Sequence, residues 1–351
     1  MRALSAAALT LTVVAPVAAL QDSHPTFTVG TATAKRGEKA LGSIAVPAGS
    51  DAALDIAVAV VHGAKPGPVL ALVAGSHGTE YASIIAMERL IQQLDPAKLR
   101  GTVIVVPLVN TPSFLQVVPH LNPVDGKNMN RFYPGNPGGT QTERASYAIT
   151  KQVIEQSDHV IDMHGGDIDE HLRPFSYWTV TGNKAQDDAS KALVLAFGLD
   201  LIVVSKDRPS DPAASRYLEN TATTRGKPSF TAEAGYAGTV MPVDVNALVN
   251  GSLSVMRQLH MLDGKPASVT RPVWLTELLS VSGNVAGIFY PEVHRDQHVK
   301  AGTRLGHTTD YVGKELEVAR APKDGIVLYV RPIPSISKGE TIASIGVPGT
   351  P

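Results

Sequence analysis

Four residues of the types that bind metal ions and move protons each follow a predicted strand. His77 and Glu80 come after the apolar segment 69–74, His164 follows the segment 159–163, and Glu233 follows the segment 229–232. In an open α/β sheet, functional sites form at the carboxyl ends of the strands. We therefore expect these four side chains to converge on one edge of a sheet.

Two imidazoles and one carboxylate are the protein ligands of a catalytic zinc ion that keeps one position open for water. His77 and Glu80 are three residues apart at a predicted helix start, so one turn can aim both at a single ion, with His164 reaching it from another strand. Zinc lowers the pKa of its water towards neutrality, which makes that water a nucleophile. A carboxylate outside the ligand set must then move the proton, and Glu233 is in place to do so.

Each of these residues taken singly also fits an ordinary structural role, such as a capped helix start or a salt bridge. Together they favour a metal hydrolase with one zinc ion per chain. Asp162 alternates with His164 along its strand, so two interpretations stay open for it. It either supports the histidine from behind or pairs with a neighbouring backbone group.

The elements that must position these residues alternate between strand and helix. Apolar strands are predicted at 55–61, 69–74, 103–109 and 159–163, and helical spacing is found at 81–94, about 140–156 and up to about 262. This order predicts an α/β domain with a mostly parallel or mixed sheet flanked by helices. After Gly264 short segments separated by turn residues predict a small C-terminal all-β domain, with the domains at 20–264 and 265–351.

The composition of the chain excludes some functions and predicts where the protein is located. The net charge of −1 and the lack of a long Lys/Arg cluster argue against a nucleic-acid partner. The absence of cysteine excludes thiol catalysis. Residues 1–19 carry a basic start, an apolar run and small residues, which predicts a signal peptide and an exported, periplasmic or secreted protein. No later apolar run reaches the length of a membrane span.

Four motifs carry a family resemblance. These are GSHGTE at 75–80, NMNRFYPG at 128–135, IDMHGG at 161–166 and TAEAG at 231–235. Their order resembles that of the succinylglutamate desuccinylase/aspartoacylase family, a branch of the zinc carboxypeptidase superfamily, over roughly residues 40–350. The resemblance implies zinc on His77, Glu80 and His164, with Glu233 as the general base and acid. It also implies that Arg131, with Asn130 beside it, holds a substrate carboxylate.

One departure concerns the substrate side of the site. Relatives commonly place a further arginine before the stretch NPVD at 122–125, whereas this chain has His120 and no arginine there. We expect either an altered substrate side or a second charge from another residue, such as Arg173. The C-terminal segments resemble the β-rich domain of these deacylases, which implies a wall over the cleft. Tyr290 from that domain is a candidate to contact substrate and donate to a developing oxyanion.

Three functions remain open from the sequence. The first is a zinc-dependent hydrolase that cleaves the amide bond of a small N-acyl amino acid, a carbon–nitrogen bond other than a peptide bond. The second is a zinc carboxypeptidase acting on short peptides or cell-wall stem peptides. The third is a binding module that has kept the scaffold without catalysis. The oligomeric state is not predicted.

Overall fold

The computed structural model describes residues 24–351, so the predicted signal peptide lies outside the described residues. Six α-helices occur in this range: α1 Tyr81–Gln93, α2 Thr111–Gln116, α3 Gln141–Ile149, α4 Lys184–Phe197, α5 Leu218–Thr223 and α6 Pro242–Gln258. A π-helical turn, Thr150–Ile154, continues α3.

The strands of the first part of the chain are β1 Thr26–Val29, β2 Ala32–Lys35, β3 Glu38–Val46, β4 Leu54–His62, β5 Lys65–Ala74, β6 Arg100–Val106, β7 His159–His164, β8 His171–Leu172, β9 Phe175–Thr179, β10 Leu201–Ser205 and β11 Ser229–Glu233. Those of the C-terminal part are β12 Val273–Ser282, β13 Gly287–Pro291, β14 His298–Val299, β15 Arg304–Thr309, β16 Glu315–Arg320, β17 Gly325–Val330, β18 Ser335–Ile336 and β19 Thr341–Pro348.

One large mixed sheet organises the molecule. Its strand order is β14-β17-β19-β12-β10-β9-β11-β7-β5-β6-β4-β3, with β8 paired to β17. Strands β6, β5, β7 and β11 are parallel neighbours at its centre, and β9 runs antiparallel to β11. The carboxyl ends of β5, β7 and β11 therefore lie side by side, as the sequence predicts.

Helices cover both faces of this sheet because its central strands are apolar on both sides. On one face, buried Met87 and Leu90 of α1 pack in a single cluster with Val194 of α4 and Leu248 of α6. On the other face, α3 and α5 pack over Val73 and Val160. Burying a leucine or methionine side chain contributes about 1.5–3 kcal/mol, so these faces hold the strand ends in place. The predicted α/β class with flanking helices is confirmed.

The C-terminal strands are divided between two sheets. β12 extends the large sheet by pairing parallel to β10; β19 then pairs antiparallel to β12, and β17 antiparallel to β19. The other strands form a four-stranded sheet in the order β16-β15-β13-β18, with its own apolar core. This all-β region agrees with the predicted C-terminal domain, while the exact boundary at 264/265 stays a prediction. In residues 24–351, the helices are too short or too polar to span a lipid bilayer.

Candidate metal centre and active site

The turn after β5 aims its residues at the sheet edge. Gly75 adopts a left-handed φ of +69°, and a Cβ atom there would lie 2.8 Å from the Cα of Leu108. Glycine is the residue that reaches this conformation without strain. The chain then reverses, and Glu80 stands at the N-cap of α1 without capping it. Its carboxylate is thus free to point into the site rather than back at its own helix.

The two histidines face this carboxylate through the same ring atom. Nδ1 of His77 lies 2.7 Å from Oε1 of Glu80, and Nδ1 of His164 lies 2.9 Å from Oε2. The three ligand atoms all lie within 4.8 Å of one another. The backbone N–H of Gly165 also donates to Oε2 over 2.9 Å, which fixes the carboxylate. The structure therefore brings together the three residues predicted to bind the metal, and this group could hold a divalent ion.

The far nitrogens of both rings are anchored. Nε2 of His77 lies 3.1 Å from Oδ1 of Asn128, and Nε2 of His164 lies 3.1 Å from Oδ1 of Asp162. Metal-binding histidines commonly bond through their second nitrogen in this way, since it fixes the tautomer and the ring orientation. Of the two interpretations open for Asp162, the structure supports a partner of His164.

The electrostatics of the site favour a cation. Burial would raise the pKa of Glu80, but the charges of His164 and His77 offset it and lower that pKa well below its usual range. Burial raises the pKa of Glu233 well above its usual range. The charge of His164 opposes this rise, while the charges of Glu80, Glu170 and Asp162 add to it. A divalent ion would neutralise part of this negative charge and lower the pKa of the nearby carboxyl groups.

Glu233 and His164 are register partners at the ends of β11 and β7. Both line a cavity of about 450 Å³. Arg131 also lines it, packing 4.8 Å from the ring of Tyr217 and donating to the carbonyl of Asn130 over 2.7 Å. The side chain of Asn130 is buried, donates to Asp162 over 3.3 Å and lies 3.0 Å from Nε2 of His164. Asn130 thus supports the histidine as well as the cavity wall.

Two residues predicted to contact substrate do not line this cavity. The guanidinium of Arg173 is taken up by ion pairs with Asp200 and Asp296, at 2.8 and 2.9 Å. Tyr290 lies on the small C-terminal sheet, 45% exposed, with its ring stacked on His307. The structure therefore places Arg173 and Tyr290 outside this cavity, and a substrate contact by either residue stays a prediction.

His120, unlike Arg173, lines the cavity. Its Nε2 lies 2.9 Å from Oδ1 of Asp169, and its ring packs edge-on to His77 at 5.6 Å. Burial alone would lower the pKa of His120, but the hydrogen bond to Asp169 and the charge of Asp167 raise it to about 10. The side chain lines the cavity as a cation at neutral pH.

Sequence reasoning missed other groups in the cavity wall. These residues are Asn128, Glu170, Tyr177, Tyr217, Glu219, Asn220 and Tyr329. Asn128 opens the NMNR motif, so its position was a usable signal. The others carry no local pattern. Tyr217, Glu219 and Asn220 reach the cavity from the start of α5, Tyr177 from β9, Tyr329 from β17 and Glu170 from the loop before β8.

Comparison with known proteins gives a consistent result. The catalytic-domain profile of the succinylglutamate desuccinylase/aspartoacylase family matches residues 66–259. The chain is similar to an N-alpha-acetyl-L-2,4-diaminobutyric acid deacetylase from Halomonas elongata, with 27% identity over 80% of this chain and 82% of the relative.

Solved structures share the fold. The product-bound ectoine utilization protein EutE (DoeB) from Ruegeria pomeroyi superposes with a TM-score of 0.80 at 24% identity, covering 93% of this chain and all of that one. A succinylglutamate desuccinylase/aspartoacylase from Rhodobacter sphaeroides gives 0.78 at 24% identity, over 89% of this chain and 96% of that one. With a family profile that spans more than half of its length, this protein belongs to the succinylglutamate desuccinylase/aspartoacylase family.

Proposed function

We propose that this protein is a zinc-dependent amidohydrolase that removes the acyl group from a small N-acyl amino acid. The observation that carries the proposal is the group of two imidazoles and one carboxylate whose ligand atoms lie within 4.8 Å of one another, in one cavity with Glu233. The similarity to a deacetylase of an acetylated diamino acid supports an amide substrate.

The donor set fits zinc. Two imidazoles and one carboxylate match the ligands of catalytic zinc sites, and the far ring nitrogens are already anchored. His77, Glu80 and His164 would hold the ion. A zinc ion in this position supplies a Lewis acid that activates water and polarises the amide carbonyl.

The protein's own groups account for the remaining steps. Arg131 presents a guanidinium at the cavity wall, where it binds the substrate carboxylate and orients the amide. Glu233 accepts the proton of the attacking water and passes it to the leaving nitrogen. The cationic ring of His120, held by Asp169, adds positive charge on the side of the cavity next to His77.

The shape of the cavity favours a small substrate over a peptide. Part of its wall comes from the C-terminal strands, through Leu278 of β12 and Leu328 and Tyr329 of β17. This is the wall over the cleft that the family resemblance implies. It limits the room for a long chain, so we favour the deacylase over the carboxypeptidase.

Glu233→Gln in zinc-loaded protein tests the proposal. The amide keeps the size of the side chain but cannot take a proton, so we expect turnover of N-acetyl amino acids to fall about 10²- to 10⁴-fold with zinc still bound. Short peptides assayed alongside separate the two hydrolases. Full turnover by the zinc-loaded variant would refute the role of Glu233.

We also propose that the protein is exported, on the pattern of residues 1–19. Fractionation of the source cells and N-terminal sequencing of the purified protein test this. A mature chain that still begins at Met1 would refute it.

A further inference from the structure

The loop between β7 and β8 carries an aspartate that contacts both parts of the chain. Oδ1 of Asp169 accepts from Nε2 of His120 over 2.9 Å, and Oδ2 accepts from the guanidinium of Arg331 over 3.2 Å. His120 lies in the cavity wall beside His77, whereas Arg331 directly follows β17 in the C-terminal strands. Asp169 therefore links the metal centre to the C-terminal part of the fold.

Arg331 is held in place by its own strands. The residue is 4% exposed. Its Nε donates to the carbonyl of Ser335 over 2.6 Å, and its guanidinium lies 3.1 Å from the carboxylate of Glu340. Asp169 is the acceptor that lies outside these strands. Because a buried guanidinium keeps its charge and presents its N–H groups in a rigid plane, the position of the Asp169 carboxylate is set from the C-terminal strands.

The backbone of this loop is held to β17 independently of Arg331. Tyr329 of β17 pairs with Leu172 of β8 in the antiparallel register. The hydroxyl of Tyr329 also donates to the backbone carbonyl of Asp169 over 3.2 Å. Loss of the Arg331 side chain should therefore release the carboxylate of Asp169 without releasing the loop itself.

A second aspartate fixes the backbone of His120 to the metal-binding turn. The N–H of His120 donates to Oδ2 of Asp167 over 3.0 Å, and its Nδ1 lies 3.3 Å from the same oxygen. Oδ1 of Asp167 accepts from the hydroxyl of Thr79, in the turn between His77 and Glu80. His120 has a left-handed φ of +59°, which a non-glycine residue keeps only where its surroundings enforce it. These contacts fix the backbone, while the ring is oriented by what binds Nε2.

We propose that Arg331 is a positioning residue for the active site: it holds Asp169, which orients the ring of His120 edge-on to His77. The inference rests on the proposed deacylase function, in which negative charge develops on the amide oxygen in the transition state. A positive group that is already fixed beside that oxygen lowers the barrier, whereas a mobile one must first be ordered. The C-terminal strands thus act on the rate of the reaction as well as on the size of the substrate.

A double-mutant cycle on kcat tests the connection from Arg331 to His120. The variants are Arg331→Met, His120→Asn and the two combined; asparagine is chosen because it tolerates a left-handed backbone. Each zinc-loaded protein is assayed with the N-acetyl amino acid that wild type hydrolyses fastest. Loss of a group that stabilises the developing charge directly costs about 10²- to 10³-fold in kcat, so we expect about 10-fold for Arg331→Met, which only loosens that group. KM should change less than about 3-fold, because the carboxylate site at Arg131 is untouched.

The combined variant separates a positioning role from a purely structural one. If Arg331 acts through His120, Arg331→Met should lower kcat less than about 2-fold in the His120→Asn background. Losses that multiply, or a kcat of Arg331→Met equal to that of wild type, would overturn the inference. Arg304→Met is the matched control, because Arg304 also pairs with two carboxylates, Glu292 and Glu315, outside the cavity wall. It should leave kcat and KM unchanged.

Asp169→Asn is the second variant, for the case in which Arg331→Met does not fold. It keeps the size of the side chain and the contacts of Arg331 with its own strands, but removes the charge that holds His120. We expect kcat to fall about 10-fold for this variant alone and less than about 2-fold in the His120→Asn background. Losses that multiply count against the inference here as well.

A structural readout separates this inference from the proposed function, because it requires no turnover. Crystal structures of wild type, Arg331→Met and Arg304→Met give the distance between the ring centroids of His120 and His77, which is 5.6 Å in the wild-type chain. We expect the His120 ring to move by about 1 Å or more in Arg331→Met alone, a shift large enough to lower the rate. If no N-acyl amino acid is hydrolysed yet the ring moves, the deacylase function fails and the positioning role stands. A ring that stays in place in Arg331→Met overturns that role.

Discussion

Replacing Glu219 by Gln should make the protein's stability less sensitive to pH. Glu219 is buried, and burial raises its pKa in the folded protein to about 8, against 4.5 for an ordinary glutamate. Below pH 4.5 the side chain is neutral in both folded and unfolded chains, so it imposes no pH-dependent cost. As the pH rises, the unfolded chain ionises first and becomes favoured. Wild type thus loses stability up to about pH 8, where the folded form ionises too.

The size of the effect follows from the two pKa values. One pH unit between them corresponds to about 1.4 kcal/mol, so the free energy of unfolding of wild type should fall by about 5 kcal/mol relative to Glu219→Gln between pH 4.5 and 8. Any effect of the substitution on packing changes the difference in free energy of unfolding by the same amount at every pH. The slope of the difference therefore isolates the ionisation of this one group.

Urea unfolding at pH 5, 6, 7, 8 and 9 measures this slope, with both proteins in the same metal state. Other ionisable groups are common to wild type and variant and cancel in the difference. Glu88→Gln, an exposed substitution, controls for the removal of a surface carboxylate. A difference between wild type and Glu219→Gln that stays constant from pH 5 to 9 would refute the reasoning about burial.

Other predictions concern the metal centre and the carboxylate site. Asp162→Asn removes the charged partner of His164 Nε2, so zinc affinity should fall about 10- to 100-fold in a chelator competition; unchanged affinity would contradict the role of Asp162. Arg131→Lys loses the bidentate fork and should raise KM for acyl amino acids about 10-fold or more, with little effect on substrates whose carboxylate is amidated. If both substrate types respond alike, Arg131 does not bind the carboxylate. Gly75→Ala forces a Cβ atom against Leu108 in a left-handed turn and should destabilise the fold by about 1–3 kcal/mol in thermal unfolding; an unchanged Tm would show that the turn can relax.

Much of the site was accessible from the sequence because its residues follow strands. The predicted strand 159–163 is β7, with His164 as its last residue, and the predicted segment 229–232 is β11, with Glu233 as its last. Parallel pairing then places the two side by side. The apolar pattern of the sequence was sufficient to predict these strands. Once the strands pair in the sheet, the positions of the residues at their ends are fixed.

The placement of other side chains depends on partners that lie far away in the sequence. Arg173 was expected to contact the substrate, but its guanidinium forms ion pairs with Asp200 and Asp296, which lie 27 and 123 residues away in sequence. Glu219 was not expected at the site, because its helix has six residues and no distinctive pattern. Such outcomes are decided by tertiary packing, which local periodicity does not encode.

Anomalous scattering at the zinc edge from crystals of the zinc-loaded protein tests the metal centre most directly. We expect one zinc ion per chain, bound by Nδ1 of His77, Nδ1 of His164 and the carboxylate of Glu80, with Glu233 outside the ligand set. Zinc bound elsewhere, or no zinc at this cluster after loading, would contradict the proposed hydrolase.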